Sequence, residues 1–192
     1  MMKKIVCIGD SLTYGYGVKK SERWSSILEN EIYSEVLNKG ICGDTSTGVL
    51  SRIYRDVILN KASEAIIMIG TNDFIWGVAQ EQVRANIATV LFHMLNYNIN
   101  SIIAIPTPVY SSLAEKKWKS VANYGGNSIN DNLKKLGVWI KEFSKDYTIR
   151  NIDFNSMFYK ENEEVNPIYY IDGLHLNSIG HKKIAKELVK IL

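Results

Sequence analysis

Three short runs constrain this chain most: residues 4–9 (KIVCIG), 65–70 (AIIMIG) and 101–106 (SIIAIP). Each is nearly continuous in Ile, Val and Ala instead of alternating with polar residues. A strand with one wet face alternates. A strand covered on both faces does not, and a parallel sheet between two helical layers covers its strands in that way. Residues 34–38 (SEVLN) and 148–154 (TIRNIDF) are weaker runs of the same kind, which makes five.

Helical patterns fill the gaps, over residues 24–32, 47–59, 80–96, 128–147 and 178–192. In the fourth, Ile129, Leu133, Leu136, Ile140 and Phe143 are spaced alternately four and three apart, laying one apolar stripe down a helix. The last has Ile184, Leu188 and Ile191 on one side, with Asn177 or Ser178 as its cap. Strands alternating with helices predict βαβ units and a doubly wound α/β sheet with right-handed crossovers. No internal repeat, low-complexity tract or linker interrupts the chain, so residues 1–192 are expected to form one domain. Residues 107–127 are the least regular stretch. They are long for a loop, and loops of that length often bind something.

Composition removes several classes. The net charge of +3 is mild and the Lys and Arg residues are scattered, without the basic stripe that nucleic acid requires. Two cysteines, Cys7 and Cys42, do not make a disulfide framework and are expected to be buried thiols. There is no CxxC and no paired-His spacing, so no metal is expected. The opening MMKK resembles the start of a signal peptide, but the run after it falls short of the roughly 7–15 apolar residues of such a segment. No window approaches the roughly 20 apolar residues of a membrane span. The expectation is a cytoplasmic protein with no integral membrane segment.

The polar residues that follow the strands carry the chemistry. Ser11 follows the first run (GDSLTYG), Gly40 and Gly43 the second (NKGICGDT), Asn72 and Asp73 the third (GTNDF), and Asp172 and His175 the fifth (YIDGLHLN). An open parallel sheet binds ligands outside the carboxyl ends of its strands, so these stretches collect along one edge. Each has a plain alternative. Ser11 is also a good helix N-cap, Asp-x-x-His is often a surface pair, and Gly43 can answer only to backbone conformation. Together they read as acyl-transfer machinery. A serine hydroxyl needs a base to become a nucleophile, His175 is such a base, and Asp172 can orient it. The Gly43 N–H, the Asn72 amide and the Ser11 N–H are candidate donors to an oxyanion. His93 and His181 fall inside helical patterns and are expected to be structural or solvent-exposed.

These blocks resemble those of the SGNH hydrolases, the GDSL-type lipases and esterases: GDSL at 9–12, NKGICGDT at 38–45, GTND at 70–73 and DGLHLN at 172–177. The resemblance spans nearly the whole chain. It implies a flavodoxin-like three-layer α/β/α sandwich with a five-stranded parallel sheet in the order 2-1-3-4-5. It also implies a metal-independent hydrolase without a cofactor, working through a covalent acyl-enzyme. Ser11, Asp172 and His175 would be catalytic, Ser11, Gly43 and Asn72 would form the oxyanion hole, and Asp10 and Asp73 would support them. The small bacterial members it resembles are lysophospholipase- or thioesterase-like esterases. The leading expectation is a short-chain acyl ester as small-molecule substrate. Lysophospholipids, acyl-thioesters and acetylated carbohydrates are the alternatives, with acyl transfer or an acyl- or sugar-binding module without turnover beyond them. Residues 107–127 with Tyr14, Tyr16, Phe74 and Trp76 are expected to line the cleft.

Overall fold

The computed structural model describes residues 3–192. Five parallel strands, β1 (Lys3–Gly9), β2 (Ser34–Gly40), β3 (Glu64–Met68), β4 (Asn100–Ile105) and β5 (Arg150–Asp153), form one sheet in the order β2-β1-β3-β4-β5. The expected strand order holds. Residues 1 and 2, at the start of the MMKK motif, lie outside the described residues.

The unbroken apolar runs have the predicted cause, because each strand feeds two cores. Val6 and Ile8 of β1, Ala65 and Ile67 of β3, and Ile103 and Ile105 of β4 face one side. Ile5 and Cys7, Ile66 and Met68, and Ile102 and Ala104 face the other. The period-two alternation of strand side chains is intact, but both faces are dry. The first core packs under α3 (Ser46–Ile53), α5 (Gln80–Asn96) and α8 (Gly126–Asp146). The second packs under α2 (Trp24–Glu31) and α9 (Ser178–Val189). Asn177 caps α9, its side chain accepting from the N–H groups of Ile179 and Gly180.

At the opposite end of the sheet from the loops with candidate residues, the fully buried Glu64 carboxylate meets Lys3 and Arg150. This cluster joins β1, β3 and β5, so a buried charge is paired instead of isolated.

Three expectations are corrected. The single helix predicted over 47–59 is α3 followed by a π-helical turn, Tyr54–Ile58, closed by the Leu59 N–H to the Tyr54 carbonyl at 2.9 Å. Residues 107–127 are not an irregular loop. They hold α6 (Ser111–Lys117) and α7 (Lys119–Tyr124), too short and too poorly capped to announce themselves by periodicity. Cys7 is buried but Cys42 is exposed, because it sits in the turn after β2 and not in a strand. His93 is exposed on α5, whereas His181 is buried, accepting the Trp24 N–H at 3.3 Å. Burial first, then the nearby positive groups, hold the His181 imidazole down to about 4, so it is a neutral structural acceptor.

Candidate active site

Ser11 opens α1 (Ser11–Tyr14) directly after β1, with Asp10 as the cap: its Oδ1 accepts the Leu12 N–H at 2.8 Å. Gly9 makes the sharp exit fit. A Cβ there would overlap the Met68 carbonyl oxygen of the neighbouring strand and crowd the Thr13 hydroxyl. The Ser11 Oγ lies 3.0 Å from His175 Nε2. His175 Nδ1 lies 2.8 Å from Asp172 Oδ2. The loop that carries both residues organises itself, since Asp172 Oδ1 also accepts the N–H groups of Leu174 (3.0 Å) and His175 (2.8 Å). Burial alone would raise the Asp172 carboxyl. The bonds from His175 and from these two N–H groups outweigh it and hold the group down at about 2. Asp172 is therefore a carboxylate at any physiological pH, as an orienting anion must be.

Gly43 sits at φ +79 in the turn after β2. A side chain there would meet nothing within 4 Å, so the backbone conformation and not crowding explains the glycine. Among the described residues neither the Gly43 nor the Ser11 N–H donates a hydrogen bond. Asn72 comes from α4 (Thr71–Ile75), which follows β3. One hydrogen of its amide is fixed on the Asp44 carbonyl at 2.9 Å. The other has only a long contact, 3.4 Å, to Asp10 Oδ2. Asp73 turns inward from the same helix. Its carboxylate takes the Ser46 N–H at 2.9 Å and the Ser46 hydroxyl at 2.6 Å, tying α4 to the start of α3.

Asp10 is buried under this cluster. Burial, with added repulsion from Asp44 and Asp73, raises its carboxyl to about 7 against the opposing bond from Leu12. The sign follows directly. The folded chain keeps this proton up to about pH 7, while the unfolded chain releases it from its ordinary value of 3.8. Stability from this group is therefore complete below pH 3.8 and is lost as pH rises towards 7. Asp10→Asn is expected to remove that part of the slope. The check is urea unfolding of both proteins between pH 4 and 8. Parallel curves would show that the carboxyl is not raised.

Aromatic rings surround the imidazole. Tyr16 lies 4.4 Å from it, centroid to centroid, and Trp118 lies 5.3 Å away between α6 and α7. Tyr14 lies beneath the Arg23 guanidinium, 4.3 Å off. Phe74, expected in the cleft, is fully buried in the core instead, because its position on α4 points into the α8 interface. Trp76 is 68% exposed and forms one wall of a cleft of about 180 Å³ with Ile75, Ser120, Asn123 and Tyr124. A larger crevice of about 430 Å³ opens beyond β4, between Tyr110, Asn130, Lys134 and Tyr159; residues of the 107–127 segment line it, but none of Ser11, Gly43, Asn72, Asp172 and His175 does.

Sequence reasoning missed the framework beneath the site. Arg52 is 7% exposed and reaches the ends of β1 and β2 as well as the Asp44 turn. Asn38 braces the same corner, donating to the Thr13 carbonyl and the Ser25 hydroxyl, both at 2.7 Å. Asn86 of α5 donates to the Ser46 hydroxyl at 2.9 Å. The one local signal was Arg52 itself, an ionic residue at a position of α3 that also holds buried Val49 and Ile53.

A family model, the GDSL-like Lipase/Acylhydrolase family, matches residues 7–183. The Esterase TesA of Pseudomonas aeruginosa is 31% identical over 91 residues, 45% of this chain and 45% of that protein. The Thioesterase 1/protease 1/lysophospholipase L1 of Escherichia coli K12 is 28% identical over 89 residues, 45% of this chain and 43% of that protein. These matches span under half the length of either relative. Across the whole fold, a lipolytic protein of the G-D-S-L family from Desulfitobacterium hafniense DCB-2 superposes with a TM-score of 0.83 at 23% identity, over 99% of each chain.

Proposed function

This chain belongs to the GDSL-like Lipase/Acylhydrolase family, and from that premise we propose that it is a serine esterase that cleaves short-chain carboxylic esters of small molecules. The observation that carries the reading is the continuous hydrogen-bonded line from Ser11 Oγ through His175 to Asp172, at 3.0 and 2.8 Å.

In the first step His175 Nε2 takes the Ser11 proton as Oγ attacks the ester carbonyl. The charge on the tetrahedral oxygen is met by the N–H groups of Ser11 and Gly43 and by the loosely held Asn72 hydrogen. Asp172 stabilises the imidazolium without accepting its proton. The imidazolium returns the proton to the leaving alcohol, and Ser11 remains acylated. Water, deprotonated by the same imidazole, then attacks the acyl-enzyme, and the acid departs as Ser11 regains its proton. Asp10 and Asp73 support this arrangement by capping α1 and by holding α4 against α3.

The cleft of about 180 Å³ beside α4 is lined by Ile75, Trp76, Ser120, Asn123 and Tyr124 and by none of Ser11, Gly43, Asn72 or His175, so it does not set the acyl length, which the substrate competition below decides. The relatives named esterase and thioesterase/lysophospholipase agree with ester or thioester chemistry in general.

The test is mass spectrometry after treatment with a fluorophosphonate. Oγ attacks phosphorus, fluoride leaves, and the protein gains one phosphonyl group. Labelling at Ser11 that disappears in His175→Ala is expected. Folded protein that takes no label would overturn the reading. Competition among methyl butyrate, a lysophospholipid, an acyl-thioester and an acetylated sugar then ranks the substrates.

A further inference from the structure

Arg52 lies outside every motif that points to the chemistry, yet its guanidinium makes four hydrogen bonds and pairs with two carboxylates. Nε donates to Asp44 Oδ2 at 2.9 Å, and Nη2 lies 2.7 Å from the same oxygen as an ion pair. Nη1 donates to the Lys39 carbonyl and to Asp56 Oδ2, both at 2.8 Å. Nη2 donates to the Gly9 carbonyl at 3.0 Å. These acceptors are not scattered. Gly9 ends the strand that delivers Ser11. Lys39 is the second-last residue of β2, just before the Gly43 loop. Asp44 follows Gly43, and its own carbonyl holds the Asn72 amide. The guanidinium is thus bonded directly to the segments carrying two oxyanion donors, and through one further residue to the third.

We propose that Arg52 is a positioning residue for the oxyanion hole, fixing the mutual placement of the Ser11 N–H, the Gly43 N–H and the Asn72 amide. This rests on the esterase reading above. The physical argument is that three donors on three separate loops must converge on one oxygen. Independent loop motions would misplace them, and an error of about 1 Å at a reacting centre can cost about 100-fold in rate. A planar fork with five fixed donors can hold three backbone segments at set angles. A lysine, with one point of charge on a flexible stem, cannot. Asp56 completes the arrangement from the far side. Burial raises its carboxyl, and the bonds from Arg55 and Arg52 more than offset this, so that its acid form is disfavoured and Arg52 keeps a charged partner within the protein. Asp44 and Asp56 thus match the buried cation with two anions, and two backbone carbonyls accept from it as well.

The experiment compares wild type, Ser11→Ala, Arg52→Lys, Arg52→Ala and Asp44→Asn. Each is checked for folding by circular dichroism and assayed for kcat and KM on methyl butyrate and for binding of phenylboronic acid, which forms a tetrahedral adduct on a serine. Arg52→Lys is expected to lower kcat about 10- to 100-fold with KM within threefold, and to weaken phenylboronic acid by a matching factor. Asp44→Asn is expected to shift the same quantities in the same direction by less. Added guanidinium, at concentrations too low to denature, is expected to restore part of the activity of Arg52→Ala. A folded Arg52→Lys with a lower melting temperature but unchanged kcat and boronate affinity would overturn the proposal and leave Arg52 a structural residue only. If Arg52→Ala does not fold, Arg52→Lys and Asp44→Asn decide alone. Wild type no more active than Ser11→Ala would overturn the esterase reading itself, and the positioning role with it.

Discussion

His175→Ala should lower kcat on an unactivated ester such as methyl butyrate by about 10³- to 10⁶-fold while leaving KM within a few-fold. The imidazole is asked for four proton movements: from Ser11, to the leaving alcohol, from the attacking water, and back to Ser11. Nothing else stands ready to perform them. Among the described residues His175 is the hydrogen-bond partner of Ser11 Oγ, and Asp10, next in sequence, directs Oδ1 to the Leu12 N–H. His181 cannot substitute, because it is buried and accepts the Trp24 N–H. Asp172→Ala is expected to cost less, since the imidazole also rests against Tyr16 and Trp118, which restrain its plane. The choice of substrate matters: an aryl ester with a good leaving group needs no proton on departure and would understate the loss. Steady-state kinetics on purified variants, with Ser11→Ala measured alongside as background, make the check. A fall of less than tenfold for His175→Ala would remove it from the role of base.

The fold was legible because burial on both faces leaves short unbroken apolar runs, and the β-branched residues within them and the Gly or Pro that ends each distinguish them from buried helix. Residues 4–9 and 101–106 could be read as central strands without any motif. β5 was harder: its four residues are exposed or half-buried, and only its position after the stripe of α8 pointed to it. The motif residues were legible for a related reason. A strand exit fixes where a side chain stands, so Ser11, Asn72 and the Asp172–His175 loop could be placed on one edge from strand order. What could not be read are contacts made across the chain by side chains whose partners are backbone atoms. Arg52 bonds the Gly9 carbonyl 43 positions away, and a carbonyl has no identity in a sequence. Phe74 was misread because proximity to a motif says nothing of direction. One turn of α4 carries Asn72 to the site and Phe74 to the core. Cys42 was misread because a thiol is usually buried, while the turn needed for Gly43 brings its neighbour to the surface.

Asn72→Ala is the second large effect, with an expected fall in kcat of about 10²- to 10³-fold and little change in KM. The amide is arranged to act late. Its hydrogen on the Asp44 carbonyl at 2.9 Å fixes the side chain, and the second hydrogen, at 3.4 Å from Asp10 Oδ2, is held too weakly to resist a better acceptor. A neutral ester carbonyl is a modest acceptor, whereas the tetrahedral oxyanion is a strong one. The bond therefore gains most of its strength in the transition state, which lowers the barrier without tightening ground-state binding. The neighbouring carboxyl strengthens this argument. With its proton retained up to about pH 7, Asp10 does not compete for the amide as a full anion. As pH rises past that value the anion forms and attracts the same hydrogen, so the wild-type advantage over Asn72→Ala should narrow above pH 7. The measurement is kcat for both proteins from pH 6 to 9, with melting temperatures recorded because the Asp44 carbonyl loses its donor in the variant. A rise in KM with kcat unchanged would make Asn72 a substrate-binding residue. A constant ratio across the pH range would leave its role as donor intact and free it from Asp10.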